Sequence, residues 1–190
     1  MGNREDLLAG ARKAIIERGV AKTTARDIAA AAGVSLAAIG YHFGSKDRLI
    51  TEALAEALGT DIGDRMDALV HDGSGQPPLE AFAHLWNGMP QIFEDNREGM
   101  LASLENLVRV ARTPESQTYM AESLSSAYAD LGRAVREAHP DFDEDTAQAI
   151  GELYFVLTQG LGILWTITRG GNLPDGARLT KAIAALAGDS

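Results

Sequence analysis

The sequence predicts an all-α protein: a small N-terminal head of three helices containing a helix-turn-helix, joined by a long fourth helix to a C-terminal helical body. Three observations carry that expectation. Apolar residues recur at helical spacing almost from end to end, and no alternating stretch of useful length marks a strand. Glycines, prolines and capping residues fall between those stretches, where helices should stop and start. The basic residues are gathered toward one end. The head is expected over 1–46 and the body over 47–190.

Leu8, Ala11 and Ile15 form the stripe of a first helix that should stop near Gly19. Thr24 is positioned to cap a second helix, with Asp27 three residues on completing a capping box, and Gly33 supplies the positive φ that ends it. Ser35 is the expected cap of the third helix, so 20–43 reads as helix, tight glycine turn, helix. Gly44 and Ser45 form a break and a new cap. Leu49, Ala53, Leu54, Leu58, Ile62, Met66, Leu69 and Val70 then stripe a fourth helix, which would span roughly 39 Å if unbroken from 46 to 71. Gly59 and Gly63 each cost that helix about 1 kcal/mol against alanine, which marks the place for a bend.

HDGSGQPP (71–78) is the clearest linker. Beyond it the pattern predicts a helix over 78–95, bent near Asn87, Gly88 and Pro90, and another over 97–112 ended by Thr113 and Pro114. Met120, Leu124, Ala127, Leu131 and Val135 stripe the next, closed by His139 and Pro140. A long helix follows over 143–169, stopped by Gly170 and Gly171, and Pro174 opens a last one to Ala187.

The 190 residues are 45% hydrophobic, ample for a packed core, and contain no cysteine, which rules out disulfides and thiolate metal sites and suits a reducing cytoplasm. MGNREDLLAG carries no secretory pattern. The net charge of −10 argues at first against a polyanionic partner. Yet residues 1–46 hold seven basic side chains against four acids, a net of +3, so the remainder carries −13. A basic head on an acidic body would present only one end to a nucleic acid.

Enzyme chemistry finds little support. GLGILW at 160–165 fails the dinucleotide pattern at its third glycine and lies inside a helix. The four histidines, at 42, 71, 84 and 139, show no metal-binding pair, and GSG at 73–75 is linker, not a nucleophile elbow. No cofactor and no metal are expected.

GVSLAAIGYHFGSKDRL (33–49) presents an unusual surface. Val34, Ile39 and Phe43, with Ile28 and Leu49, fall where a helix-turn-helix buries side chains. Leu36, Ala37, Ala38, Gly40, Tyr41 and His42 are left outward. Small residues at the N-terminus of a recognition helix allow close approach to base edges. Tyr41, His42 and Lys46 offer hydrogen-bond donors to phosphate, with the first amides of the fourth helix. A solvated amphipathic surface without a partner is the alternative.

The stretch TTARDIAAAAGVSLAAIGYHFGSKDRL (23–49) resembles the DNA-binding head of the TetR (tetracycline repressor) family, in a match covering about residues 7–54. The resemblance implies phosphate contacts from Thr24, Tyr41, His42 and Lys46, and base contacts from Arg26, Ser35, Leu36, Ala37 and Ala38. Gly40 departs from the pattern, since the family commonly has an aromatic there; this leaves Arg26 as the candidate for a guanine. The resemblance further implies a DNA-binding regulator, a repressor released from a roughly palindromic operator by a small molecule, with the last two helices pairing in a homodimer. An all-α ligand-binding or scaffold protein that does not bind DNA is the competing reading.

AIGELYFVLTQGLGILWTI (149–167) is apolar on nearly every face and is expected to be buried all round, either as monomer core or as core plus dimer face. Glu152 and Gln159 would be costly in a bilayer, so no membrane is expected. Gly160 and Gly162 are places where a neighbouring helix can come close. For a ligand pocket, the bulky or adaptable apolar candidates are Phe82, Trp86, Met89, Phe93, Met100, Leu104, Met120, Leu124, Tyr128, Tyr154 and Trp165. Asn87, Glu105, Asn106, Arg109 and Gln159 are polar residues near those stripes that could orient a ligand, Asn106 foremost.

Overall fold

The structure is a computed structural model describing residues 3–188, and the elements it contains are helices α1 (Asn3–Arg18), α2 (Ala25–Ala32), α3 (Ala37–Phe43), α4 (Lys46–Leu58), α5 (Asp64–Asp72), α6 (Pro78–Asp95), α7 (Arg97–Val110), α8 (Pro114–Ala138), α9 (Glu144–Thr168) and α10 (Gly176–Ala187). A π-helical turn, Gly59–Gly63, separates α4 from α5. No strand occurs among the described residues. The chain divides into two compact units: one comprises the chain up to Thr60 with Glu98–Leu124, the other Asp61–Arg97 with the chain from Ser125 onward.

The first unit is built on local signals that fold as expected. The Thr24 hydroxyl accepts from the Asp27 amide at 3.2 Å, while the Asp27 carboxylate accepts from the Thr24 amide at 2.9 Å, so two otherwise unpaired amides are satisfied. Gly33 ends α2 at φ 68°, a conformation that side chains resist. Ser45 caps α4, its hydroxyl accepting from the Arg48 amide at 3.0 Å. Leu7, Ile28, Leu49 and Ile50 are fully buried at the centre of this unit. Gly10 lets α1 and α2 cross closely: a Cβ there would lie 2.8 Å from both the Cβ and the amide nitrogen of Ala32.

Two details differ from the expectation. α3 begins one residue later than Ser35 predicts: Leu36 is its N-cap, and Ser35 contributes its carbonyl, which accepts from the Ala38 amide at 3.1 Å. The long fourth helix is not α-helical throughout: a π-helical turn bracketed by the two glycines interrupts it. Each extra residue of a π-turn weakens the ladder locally, and glycine, which pays most to be helical, marks where that happened.

In the second unit, α6 contributes a buried face of Phe82, Leu85, Trp86, Met89, Ile92 and Phe93, and runs unbroken through Pro90. The start of α10 is fastened to α6 by Trp86 Nε1, which donates to the Pro174 carbonyl at 2.7 Å, and by Asn87 Oδ1, which accepts from the Gly176 amide at 2.8 Å. α8 and α9 cross at a glycine pair: a Cβ on Gly151 would lie 2.5 Å from the Gly132 amide nitrogen. Within the chain the close approach is at Gly132 and Gly151, and a Cβ on Gly160 would meet nothing within 4 Å.

α9 is not buried all round within the chain. Tyr154, Thr158, Leu161 and Trp165, at i, i+4, i+7 and i+11, form its buried face. Leu153, Val156, Ile163, Leu164 and Ile167 remain exposed on the other. By length and composition alone α9 would also pass for a membrane span, with a hydropathy of 1.3 over its apolar window.

Candidate nucleic-acid interface

α2 and α3 are held against α1 and α4 by the buried Ile28, Ala29, Ile39 and Phe43, which leaves the opposite faces to solvent. Ser35, Leu36, Ala37, Gly40 and Tyr41 are exposed, as are Thr24 and Arg26 at the start of α2, and Tyr41 is 86% exposed. His42 is half-buried, its ring edge-on to Tyr41 with centroids 4.8 Å apart.

Ala38 corrects the sequence reading. Expected to face outward, it is only 7% exposed and belongs to the core of the head. One turn after Val34 and adjacent to Ile39, it falls on the inward side of a short helix whose buried arc is wider than the apolar stripe suggests. It offers little surface to a partner.

The start of α4 is a crowded polar corner. Lys46 is half-buried, and its Nζ donates to the Thr23 carbonyl at 3.0 Å, tying α4 to the turn that precedes α2. An ammonium has three donors, so this bond leaves others for an anion. Asp47 pairs with Arg109 of α7 at 2.6 Å. Arg48 pairs with the buried Glu52, which also receives Arg4 at 2.7 Å; Arg4 in turn lies over the Phe43 ring, 5.4 Å from its centroid. The Thr24 hydroxyl and amide hold the Asp27 carboxyl below the usual carboxylate range.

The twelve residues expected to line a ligand pocket fall into both units. Phe82, Trp86, Met89, Phe93, Tyr154 and Trp165 are buried together in the second, with ring centroids 5.5 Å apart for Phe82 and Tyr154 and 5.9 Å for Phe93 and Trp165. Burial pushes the Tyr154 hydroxyl up to about 12. Tyr128 is half-buried there, edge-on to Phe155. Met100, Leu104, Asn106, Met120 and Leu124 belong to the first unit, all half-buried except Asn106, which is 4% exposed. Two surface depressions of the second unit, of about 200 and 360 Å³, are lined by none of these twelve: one runs from Gly75 to Phe142, the other lies between Arg65 and Ile92.

Three of the polar candidates are engaged elsewhere. Asn87 holds Gly176, Glu105 accepts from the Val20 amide at 3.2 Å, and Arg109 holds Asp47. Asn106 differs: its Nδ2 donates to the Thr51 hydroxyl at 3.2 Å, but its buried Oδ1 has no partner among the described residues. Thr51 and the fully buried Ser116 complete this polar cluster, which sequence reasoning missed. Hydroxyls on apolar stripes read as tolerated core, and nothing local signals that residues 65 apart meet. Among the described residues no group of three His, Asp or Glu side chains is arranged to hold a metal.

An all-helical chain with an exposed α3 set by a capped, glycine-turned α2 defines a helix-turn-helix protein. Residues 7–53 match the family described as "Bacterial regulatory proteins, tetR family". It is similar to the HTH-type transcriptional repressor KstR2 of Rhodococcus jostii, 30% identical over 139 residues, which are 72% of this chain and 65% of that protein. It is also similar to the HTH-type transcriptional regulator TtgR of Pseudomonas putida, 44% identical over 92 residues, 48% of this chain and 41% of that one. The chain thus spans less than two thirds of these relatives. Those names are of transcriptional regulators, not of enzymes. Among solved structures, protein SCO7518 of Streptomyces coelicolor A3(2) matches with a TM-score of 0.59 at 26% identity, covering 96% of both chains. The multidrug binding protein EbrR complexed with imidazole matches with a TM-score of 0.66 at 24% identity, covering 98% of this chain and 95% of that one, a likeness of fold.

Proposed function

We propose that this chain is a cytoplasmic, sequence-specific DNA-binding transcriptional regulator, a repressor released from a roughly palindromic operator by a small molecule. The observation that carries the reading is the head itself: a buried helix-turn-helix core leaves Leu36, Ala37 and Tyr41 exposed on α3 beside the donors of Thr24, His42 and Lys46. Thr24, Tyr41, His42 and Lys46 would take phosphates, and Arg26, Ser35, Leu36 and Ala37 would face bases, Arg26 reading a guanine.

Repression is supported by the name of the KstR2 relative, and a ligand by that of EbrR. Within this chain the unpaired Asn106 Oδ1 is suited to receive a donor from a small molecule, since a buried acceptor without a partner costs about 1–3 kcal/mol. The exposed Leu153, Val156, Ile163, Leu164 and Ile167 of α9 support a homodimer built from α9 and α10, and no membrane is needed to cover them.

The test is selection from a randomised duplex pool with the full-length protein. Enrichment of an inverted repeat whose half-sites lie about one helical turn, roughly 34–36 Å, or a multiple of it apart is expected. Recovery of no enriched sequence would remove the regulatory reading and leave an all-α ligand-binding protein.

A further inference from the structure

Arg109 is among the candidates for orienting a ligand, but its geometry points elsewhere. Its Nη1 donates to Asp47 Oδ1 at 2.6 Å, and its side chain is 25% exposed. One turn earlier on α7, Glu105 accepts from the Val20 amide at 3.2 Å, and between them the buried Asn106 donates to Thr51. All six residues lie in the same compact unit. α7 therefore grips the head at three places: the turn before α2, through Val20, and α4 at Asp47 in its first turn and at Thr51 one turn on. Those are the segments that Lys46 joins by its bond to the Thr23 carbonyl.

Asp47 sets an electrostatic problem. An acid in the first turn of a helix is favoured by the helix dipole. Here, however, it stands next to Lys46, where the proposed phosphate contact falls, and a bare carboxylate would repel that phosphate. A partly exposed ion pair contributes little to folding, so its consequence lies in the local potential. We propose that Arg109 is a positioning residue for DNA binding: it reaches from α7 to neutralise and hold Asp47 at the start of α4, without touching DNA itself. The placement of α7 is then felt at the phosphate-facing edge. This rests on the DNA-binding reading.

The test uses the full-length protein and two fluorescent duplexes of about 40 base pairs, one enriched from the randomised pool and one of random sequence. Arg109→Ala weakens binding to both by about 5-fold to 10-fold at low salt, and by less as salt rises, because the unmasked Asp47 charge is screened. Arg109→Lys recovers part of the loss. Adding Asp47→Asn to Arg109→Ala restores affinity to within about twofold, and Asp47→Asn alone, which needs no stable Arg109 variant, binds at least as tightly as wild type. Wild-type affinity in Arg109→Ala overturns the proposal and leaves the DNA reading standing. So does a salt-independent loss, a folded double variant as weak as Arg109→Ala, or weakened binding by Asp47→Asn alone. Failure of the wild type to retain either duplex overturns the DNA reading and this proposal together.

Discussion

The Lys46 ammonium donates to the Thr23 carbonyl at 3.0 Å, and that single bond ties the start of α4 to the turn that presents Thr24. With the phosphate contact proposed for it, Lys46 would have two jobs in the head, and its loss should be felt in both. Lys46→Ala is expected to weaken binding to every duplex alike, to reduce the salt slope by about one, and to lower the melting temperature slightly. Titrations at several salt concentrations, with a thermal melt of the same preparation, check this. An unchanged slope would confine Lys46 to its structural role.

Gly10 and Gly40 make opposite predictions. A Cβ at Gly10 meets the backbone of Ala32 at 2.8 Å, so Gly10→Ala should destabilise the head by about 1–3 kcal/mol. A Cβ at Gly40 meets nothing within 4 Å, so Gly40→Ala should stabilise α3 by about 1 kcal/mol. Urea unfolding of both variants gives the two signs directly.

Two pH effects of opposite sense are expected. The folded Asp27 carboxyl is held low by hydrogen bonds from the Thr24 side chain and backbone, so its stabilisation is present above the ordinary carboxylate range and lost as pH falls through the depressed folded value. His71 is held high, first by its bond to the Asp67 carbonyl and then by Glu137, so its contribution is present below about pH 6.5 and lost as pH rises through the raised folded value. Thermal melts against pH should lose the acid arm of this dependence in Asp27→Asn and its alkaline counterpart in His71→Gln.

How much of this was legible in the sequence depends on the range of the interaction. The Thr24–Asp27 box, the Gly33 turn and the Ser45 cap are local, and residue type and spacing were enough to place them. Ala38 was misplaced because alanine carries too little apolar weight to show on which side of a seven-residue helix it lies. The glycines at 59 and 63 gave away a weak point in the fourth helix but not its form as a π-turn. The Arg109–Asp47 pair spans 62 positions, and no pattern within either helix announces it. Bulk marks most of the pocket candidates, and bulk cannot tell which unit a side chain will join.

The exposed apolar face of α9 predicts the oligomeric state. Val156→Glu with Ile163→Glu should convert a dimer into a monomer that keeps its helical content, because both side chains are exposed within the chain. Light scattering at micromolar concentration and far-UV circular dichroism measure the two properties. A wild-type monomer would contradict the assignment of this face.

The central claim is that the head binds DNA through its phosphates, and the affinity of the full-length protein for a pool-enriched duplex as a function of salt tests it most directly. Neutralised phosphates release counterions, so the logarithm of the binding constant should fall linearly with the logarithm of salt concentration, by about 0.9 per phosphate contact. A slope corresponding to several contacts per head, reduced in Lys46→Ala, is the predicted result. Binding that does not change with salt, or no binding at low salt, would contradict it.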